Sequence, residues 1–231
     1  MSSLGARATA DEQMDDPALD PATYDRVLAD LSRINRLTLA ARPTLGFLRR
    51  AVGSARAFRL LDVGFGQGDM LRAIARWAAR RGIAAELVGV DLNAKSLASA
   101  RAGTPAGTDI DYRVGDYRNV EGPIDLVVSS LVAHHMSADE LRNFVMWMEA
   151  RARHGWMVND LHRHAVAYRA YPWIARAAGV HRIVREDGAL SIARSFRPRE
   201  WGEILADAGV PAGAARVVRR FPYRLCVERL R

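Results

Sequence analysis

Three glycines at alternate positions behind an aspartate, in Asp62-Val63-Gly64-Phe65-Gly66-Gln67-Gly68-Asp69, and six histidines confined to the second half of the chain are the residues whose types and spacing suggest chemistry. Glycines so spaced let a backbone turn tightly and approach a ligand closely. A helix starting behind them offers unpaired N–H groups to that ligand. Farther along, Asp91 stands at about the distance from such a turn at which a carboxylate accepts from both hydroxyls of a ribose. Asp116-Tyr117 combines an acceptor with an aromatic face, as an adenine would need. Ser129-Ser130-Leu131 leads toward the same pocket. The histidines, His134, His135, His154, His162, His164 and His181, add proton transfer near neutral pH. His135 is the first candidate for a general base and His162 the second. The His134-His135 pair also reads as a loop-to-helix connector with packing or capping duties. Asp160 either orients a histidine or caps the next helix. His162 and His164 do not read as a metal site with Asp160, because side chains two apart on a helix diverge and no cysteine supports them. No metal is expected.

These residues need elements to position them. Phe58–Val63, Glu86–Val90, Ile110–Val114, Ile124–Ser129 and Trp156–Asp160 read as short buried strands. Between them Gly68–Arg81, Ala94–Ala102 and Ala138–Ala150 carry apolar residues at helical spacing. This alternation predicts a parallel sheet with helices on both faces, and ligands in such sheets bind at the C-terminal strand ends. Ala215–Phe221 and Arg224–Leu230 alternate as a closing strand pair around Pro222. Asp20-Pro21 starts a helix that should run to about Arg42, before Pro43, with a second short helix around Leu45–Val52. Leu161–Gly179 reads as a helix kinked or split by Pro172, and 180–196 as irregular or a short hairpin at Asp187-Gly188. The organisation expected is a flexible N-terminus over 1–19, a helical cap over 20–53, and a cofactor-binding domain over 54–231 with a lid insertion at about 161–197. Tyr168, Tyr171, Trp173, Phe196 and Trp201 gather where a substrate pocket would close, although core packing explains most of them as well.

The order of these pieces resembles the class I S-adenosylmethionine-dependent methyltransferases over roughly residues 56–230, with Asp62, Gly64, Gly66 and Gly68 matching that family's first motif. The resemblance implies a Rossmann-like α/β fold, a doubly wound, mostly parallel seven-stranded sheet ending in an antiparallel hairpin. It implies S-adenosylmethionine as cofactor. The glycines would pass under its methionine part, Asp91 would hold the ribose and Asp116 the adenine amine. Ser130 or Leu131 would line the reactive side, with Phe65, Leu92 and Tyr117 completing the binding set. A nicotinamide dinucleotide fingerprint would need its third glycine at position 69, where Asp69 is a poor neighbour for a pyrophosphate.

Methyl transfer asks for alignment of an acceptor and, where needed, removal of its proton, because the reactive sulfonium belongs to the cofactor. The cap and the lid favour a small acceptor, aromatic, quinone-like or polyketide-like, methylated on oxygen or carbon in a biosynthetic route. No Asn-Pro-Pro-Tyr type segment follows the fourth strand. Two alternatives are an RNA methyltransferase and a cofactor-binding protein without catalysis. The first draws only on charge: Lys and Arg number 34 against 26 Asp and Glu, for a net charge of +8. Lys95 is the one lysine, and the arginines are scattered rather than striped, so nucleic acid is disfavoured. Cys226 alone precludes an internal disulfide. With no apolar leader and no run long enough to span a bilayer, a cytoplasmic location is expected. A homodimer joined through the N-terminal helices is the default assembly.

Overall fold

The computed structural model describes residues 4–16 and 18–231. Its framework is a seven-stranded sheet in the order β3-β2-β1-β4-β5-β7-β6. The parallel strands are β1 (Ala57–Val63), β2 (Ala84–Asp91), β3 (Asp111–Val114), β4 (Ile124–Ser130) and β5 (Ala152–Leu161). β6 (Ala215–Arg220) and β7 (Arg224–Leu230) form the expected hairpin, with β7 antiparallel to both β5 and β6. β1 lies inside the sheet, and Leu60, Leu61 and Val63 along it are buried. Such largely apolar runs, broken in β1 by Arg59 and Asp62, are what strands covered on both faces require.

Each face has its own core. α3 (Asp69–Ala79) lays Met70, Leu71, Ile74 and Trp77 onto one face, together with Phe47 and Leu48 of α2 (Ala41–Val52). α5 (Ala138–Arg151) lays Leu141, Phe144, Val145 and Met148 onto the other, beside Trp201 and Ile204 of α8 (Pro198–Asp207). Each such side chain contributes about 1.5–3 kcal/mol by leaving water. α5 begins with a capping box: Ser137 accepts from Glu140 N, and the Glu140 carboxylate accepts from Ser137 N. α4 (Ala94–Ala102) completes the helices around the parallel strands.

A third, smaller core forms the cap. α1 (Pro21–Leu37) packs Val27 and Ile34 against Ala175 of α6 (Ala165–Ala177) and Ile183 and Val184 of α7 (Arg182–Arg194). Three local readings differ from expectation here. α1 stops at Leu37 rather than near Arg42, because Leu39 takes a left-handed backbone (φ 54°) and Pro43 falls in the first turn of α2, where a missing N–H costs nothing. α6 is not split at Pro172, which lies within it, and it starts at Ala165 rather than Leu161, because Leu161 ends β5. The segment expected to be irregular or a hairpin at Asp187-Gly188 is helix α7, and Gly188 serves packing: a Cβ there would lie 2.2 Å from the Tyr171 ring.

Residues 4–16, which composition marks as a flexible N-terminus, lie against the rest of the fold. The Asp187 carboxylate accepts from the backbone N–H groups of Gln13 and Met14 at 3.1 and 2.9 Å. Arg7 donates to the carbonyls of His134 and Met136 at 3.0 and 2.8 Å, and its guanidinium stacks 3.9 Å from the Phe196 ring. The same reading of residues 1–3 and 17 lies outside the described residues. No helix among the described residues is long and apolar enough to cross a membrane.

Candidate active site

A cavity of about 1000 Å³ runs from the glycine turn, under α1, to α6 and α7. Its floor is the C-terminal edge of the sheet, where Asp62, Gly64, Phe65, Gly66, Ser130, Leu131 and His135 meet, all of them residues singled out in the sequence. The turn has the backbone that only glycine adopts freely. Gly64 has φ 78°, and a Cβ there would lie 2.3 Å from Val132. Gly68 has φ 74° and would meet the Tyr112 hydroxyl at 2.4 Å. Among the described residues, the three non-glycines with positive φ are Leu39, Leu131 and Tyr223, and all three border this cavity. Backbone held in a sparsely populated region clusters where function uses it.

Two buried ionisable side chains border the cavity without adequate partners. Asp62 is 1 % exposed and its Oδ1 has no hydrogen-bond partner. Burial, reinforced by Asp69 and Asp91, pushes its carboxyl up to about 8. Arg224 is 2 % exposed; Nε and Nη1 are unpaired and Nη2 reaches only Thr38 Oγ1 at 3.5 Å. Burial draws its pKa down. A buried carboxylate seeking a cation and a buried guanidinium seeking an anion suit a zwitterionic ligand. The amino-acid end of S-adenosylmethionine is such a group, so these residues fit the cofactor. Sequence reading did not single out Arg224, whose only signal is a charge inside an apolar-alternating strand.

Other predicted residues stand apart from the cavity wall. Asp91 braces the turn: its Oδ2 accepts from Gly66 N at 2.8 Å and its Oδ1 from Asn93 N at 2.9 Å, leaving one lone pair on each oxygen. Leu92 is 78 % exposed. Asp116 is paired with Arg118. Tyr117 packs its ring 4.8 Å from those of Phe144 and Trp147, which accounts for its aromatic face without a ligand. His162 is buried with its ring 5.4 Å from His164; burial, with Arg219 nearby, pulls it down to about 4. It does not line the cavity. Of the lid aromatics, Tyr171 borders the cavity, Phe196 and Trp201 lie in the core, and Trp173 is exposed.

The far end of the cavity is polar. His134 Nδ1 lies 2.7 Å from Asp160 Oδ1, and His134 N donates to Asp160 Oδ2 at 2.8 Å. Asp160 therefore orients a histidine, and the cap of α6 is His164, which accepts from Val166 N. Although burial opposes it, the neighbouring His134 and the N–H groups of Leu161 and His134 hold Asp160 below the usual carboxylate range. The His135 ring lies 4.3 Å from that of His134, with Nδ1 3.2 Å from Asp15. Facing the Nε2 edges of both rings is Glu12, 4 % exposed, accepting from Ser191 Oγ at 2.8 Å. Burial pushes Glu12 up to about 7, against the pull of His135 and Ser191. Arg7 and Arg194 both donate to the His134 carbonyl and so fix this loop. Glu12 escaped sequence reading because nothing local marks it; its partners lie more than a hundred residues away.

Residues 60–155 match the family model described as a methyltransferase domain. No curated protein sequence matches the chain. Among solved structures, the plantazolicin methyltransferase BpumL, bound to a pentazolic analogue and S-adenosylhomocysteine, superposes with a TM-score of 0.65 at 12 % identity, covering 94 % of this chain and 92 % of that one. The magnesium protoporphyrin IX methyltransferase of Synechocystis PCC 6803, with bound S-adenosylhomocysteine, gives 0.56 at 14 % identity, covering 95 % and 91 %. A putative O-methyltransferase of Nostoc punctiforme gives 0.58 at 15 % identity, covering 89 % and 60 %. At such identities the likeness is one of fold.

Proposed function

We propose that this chain, whose residues 60–155 match a methyltransferase-domain model and whose fold is that of S-adenosylmethionine-dependent methyltransferases, methylates a small acceptor held at the polar end of the cavity, on oxygen or carbon. The observation that carries this reading is the single cavity joining the glycine turn to the Glu12–His134–His135 cluster. At about 1000 Å³ it is at the upper limit for one drug-sized ligand, which leaves room for a cofactor and an acceptor together. Its wall is largely apolar, with Leu28, Leu31, Leu45 and Ile174 among the lining residues, and this suits an aromatic, quinone-like or polyketide-like body.

The bound cofactor supplies an activated methyl group on a sulfonium. The chain's residues align, exclude water and handle the proton. Asp62 would hold the cofactor's ammonium and Arg224 its carboxylate, while Asp91, which keeps the turn in shape, would accept from the ribose. α1, α6 and α7 roof the cavity, so the electrostatics inside act at low dielectric. The acceptor's proton leaves through the histidine cluster, where His135 has the accessible ring, its side chain 30 % exposed.

The experiment is calorimetric titration with S-adenosylhomocysteine and, separately, NADH, followed by transfer of labelled methyl groups to phenols, quinones and tRNA. Binding of the first ligand and label on a small acceptor support the reading. Label on tRNA, with affinity falling steeply in salt, would replace it with an RNA methyltransferase. Binding without turnover on any acceptor would favour a non-catalytic cofactor binder.

A further inference from the structure

We infer that Glu12, His134 and His135 form a binding site for a divalent transition metal at the acceptor end of the cavity. The three offer one carboxylate oxygen and two imidazole nitrogens, all within 4.8 Å of one another. Both histidines are turned the same way. His134 presents Nδ1 to Asp160 at 2.7 Å and His135 presents Nδ1 to Asp15 at 3.2 Å. Each Nδ1–H thus has a carboxylate, so the lone pair of each ring is on Nε2, and both Nε2 atoms converge on Glu12. His134 Nε2 lies 3.6 Å from Oε1 and His135 Nε2 3.9 Å from Oε2, both longer than a hydrogen bond.

Those separations suit ligands sharing an ion. Two atoms each ~2.1 Å from one metal stand ~3.4 Å apart at a tetrahedral angle. With the ligand atoms within 4.8 Å of one another, the cluster closes on a metal by at most ~1.4 Å. Its outer partners have the form metal sites require: carboxylates on the far nitrogens of both rings, and Ser191 Oγ on Glu12 at 2.8 Å. Imidazole with carboxylate selects zinc, cobalt, manganese or iron over magnesium and calcium. All three ligands border the cavity, so positions are left for an acceptor. Sequence spacing hides the site, because Glu12 precedes the histidine pair by over a hundred residues.

The site stands on its side chains; its use rests on the function proposed above. In this form His135 would hold the ion rather than the proton: an acceptor hydroxyl bound to the metal would become acidic enough to lose its proton to solvent, and its oxygen would take the methyl group as the carbon–sulfur bond breaks and the sulfonium becomes a thioether. Charge and atoms balance with one proton released.

The test uses the full chain, stripped by chelator and desalted, and titrated with Co²⁺ and Zn²⁺ by calorimetry and by cobalt visible absorption. One equivalent should bind, with the intense bands of four- or five-coordinate cobalt. Glu12→Gln and His135→Ala should each weaken binding by more than about 100-fold, and Asp15→Asn by roughly 10- to 100-fold, as expected for an outer partner. His164→Ala should leave it unchanged. Should Glu12→Gln fail to fold, His135→Ala carries the test, since that ring is partly exposed. No cobalt binding by the unmodified protein would overturn the inference. So would binding that survives both ligand substitutions. The stripped protein should bind S-adenosylhomocysteine as before; loss of that binding counts against the cofactor reading and not against the metal.

Discussion

Replacing Arg224 by methionine should stabilise the ligand-free protein while weakening its hold on the cofactor. The guanidinium is 2 % exposed, two of its nitrogens are unpaired, and the third makes one contact at 3.5 Å. An unsatisfied buried donor costs about 1–3 kcal/mol. Asp69 and Asp160 lie close enough to offset part of this cost through their charges. Exchanging buried charge for a side chain of similar volume typically stabilises by roughly 1–4 kcal/mol. In a chain of 231 residues each kcal/mol moves Tm by roughly 2–4 °C, so scanning calorimetry without ligand should show a rise of several degrees. Removing one partner of a buried charged contact costs about 2–5 kcal/mol, at least about thirtyfold in the Kd for S-adenosylhomocysteine. The opposite signs are the point. A variant that is less stable and binds normally would refute both the orphaned state of the cation and its assignment to the cofactor's carboxylate.

Asp91→Ala should weaken S-adenosylhomocysteine binding by about 1–3 kcal/mol through loss of charge-assisted hydrogen bonds, and an unchanged Kd in calorimetry would remove Asp91 from the site. His135→Ala should leave that Kd intact and lower turnover at neutral pH, measured with labelled cofactor once an acceptor is found. Gly64→Ala should lose cofactor binding, because its methyl group would press on Val132 and φ 78° is strained for alanine; a normal Kd would show that the turn relaxes freely. His162 is pulled down to about 4 in the fold from an ordinary 6.5. The unfolded chain therefore binds its proton first, and the fold should lose stability as pH falls from about 6.5 toward 4. His162→Asn should flatten that part of the denaturant midpoint against pH.

The cofactor half of the molecule was legible because its parts are local. Strand, turn and helix follow one another between Ala57 and Ala79, and Asp91 ends the next strand, so each functional group sits at a strand end that hydrophobic patterning can locate. The closing hairpin was equally plain from its alternation. The end of the cavity around Glu12 resisted for the opposite reason. Glu12 and Asp187 are acidic residues in polar surroundings, and only partners far along the chain bury them. Asp187-Gly188 looks like a turn until Tyr171 is seen to need the missing Cβ. The arginine surplus, which composition links to nucleic acid, is partly internal: Arg163, Arg194 and Arg224 are all buried. Tyr117 shows the converse, an aromatic at the right strand end whose face is taken by Phe144 and Trp147.

The segment that carries Glu12 also imposes an order on synthesis. Arg7 and the Arg194 carbonyl it meets are 187 residues apart, while the pairing of β1 with β2 joins residues 27 apart. During translation the glycine turn and its neighbouring strands can assemble early, whereas residues 4–16 must wait for α7 before they have anything to rest on. Contacts of such long range form late and leave their segment open to proteases and stray partners meanwhile. A nascent chain halted before α7 would thus carry much of a cofactor pocket with no seat for Glu12, and protease cleavage of the leading segment should report on completion of the acceptor end.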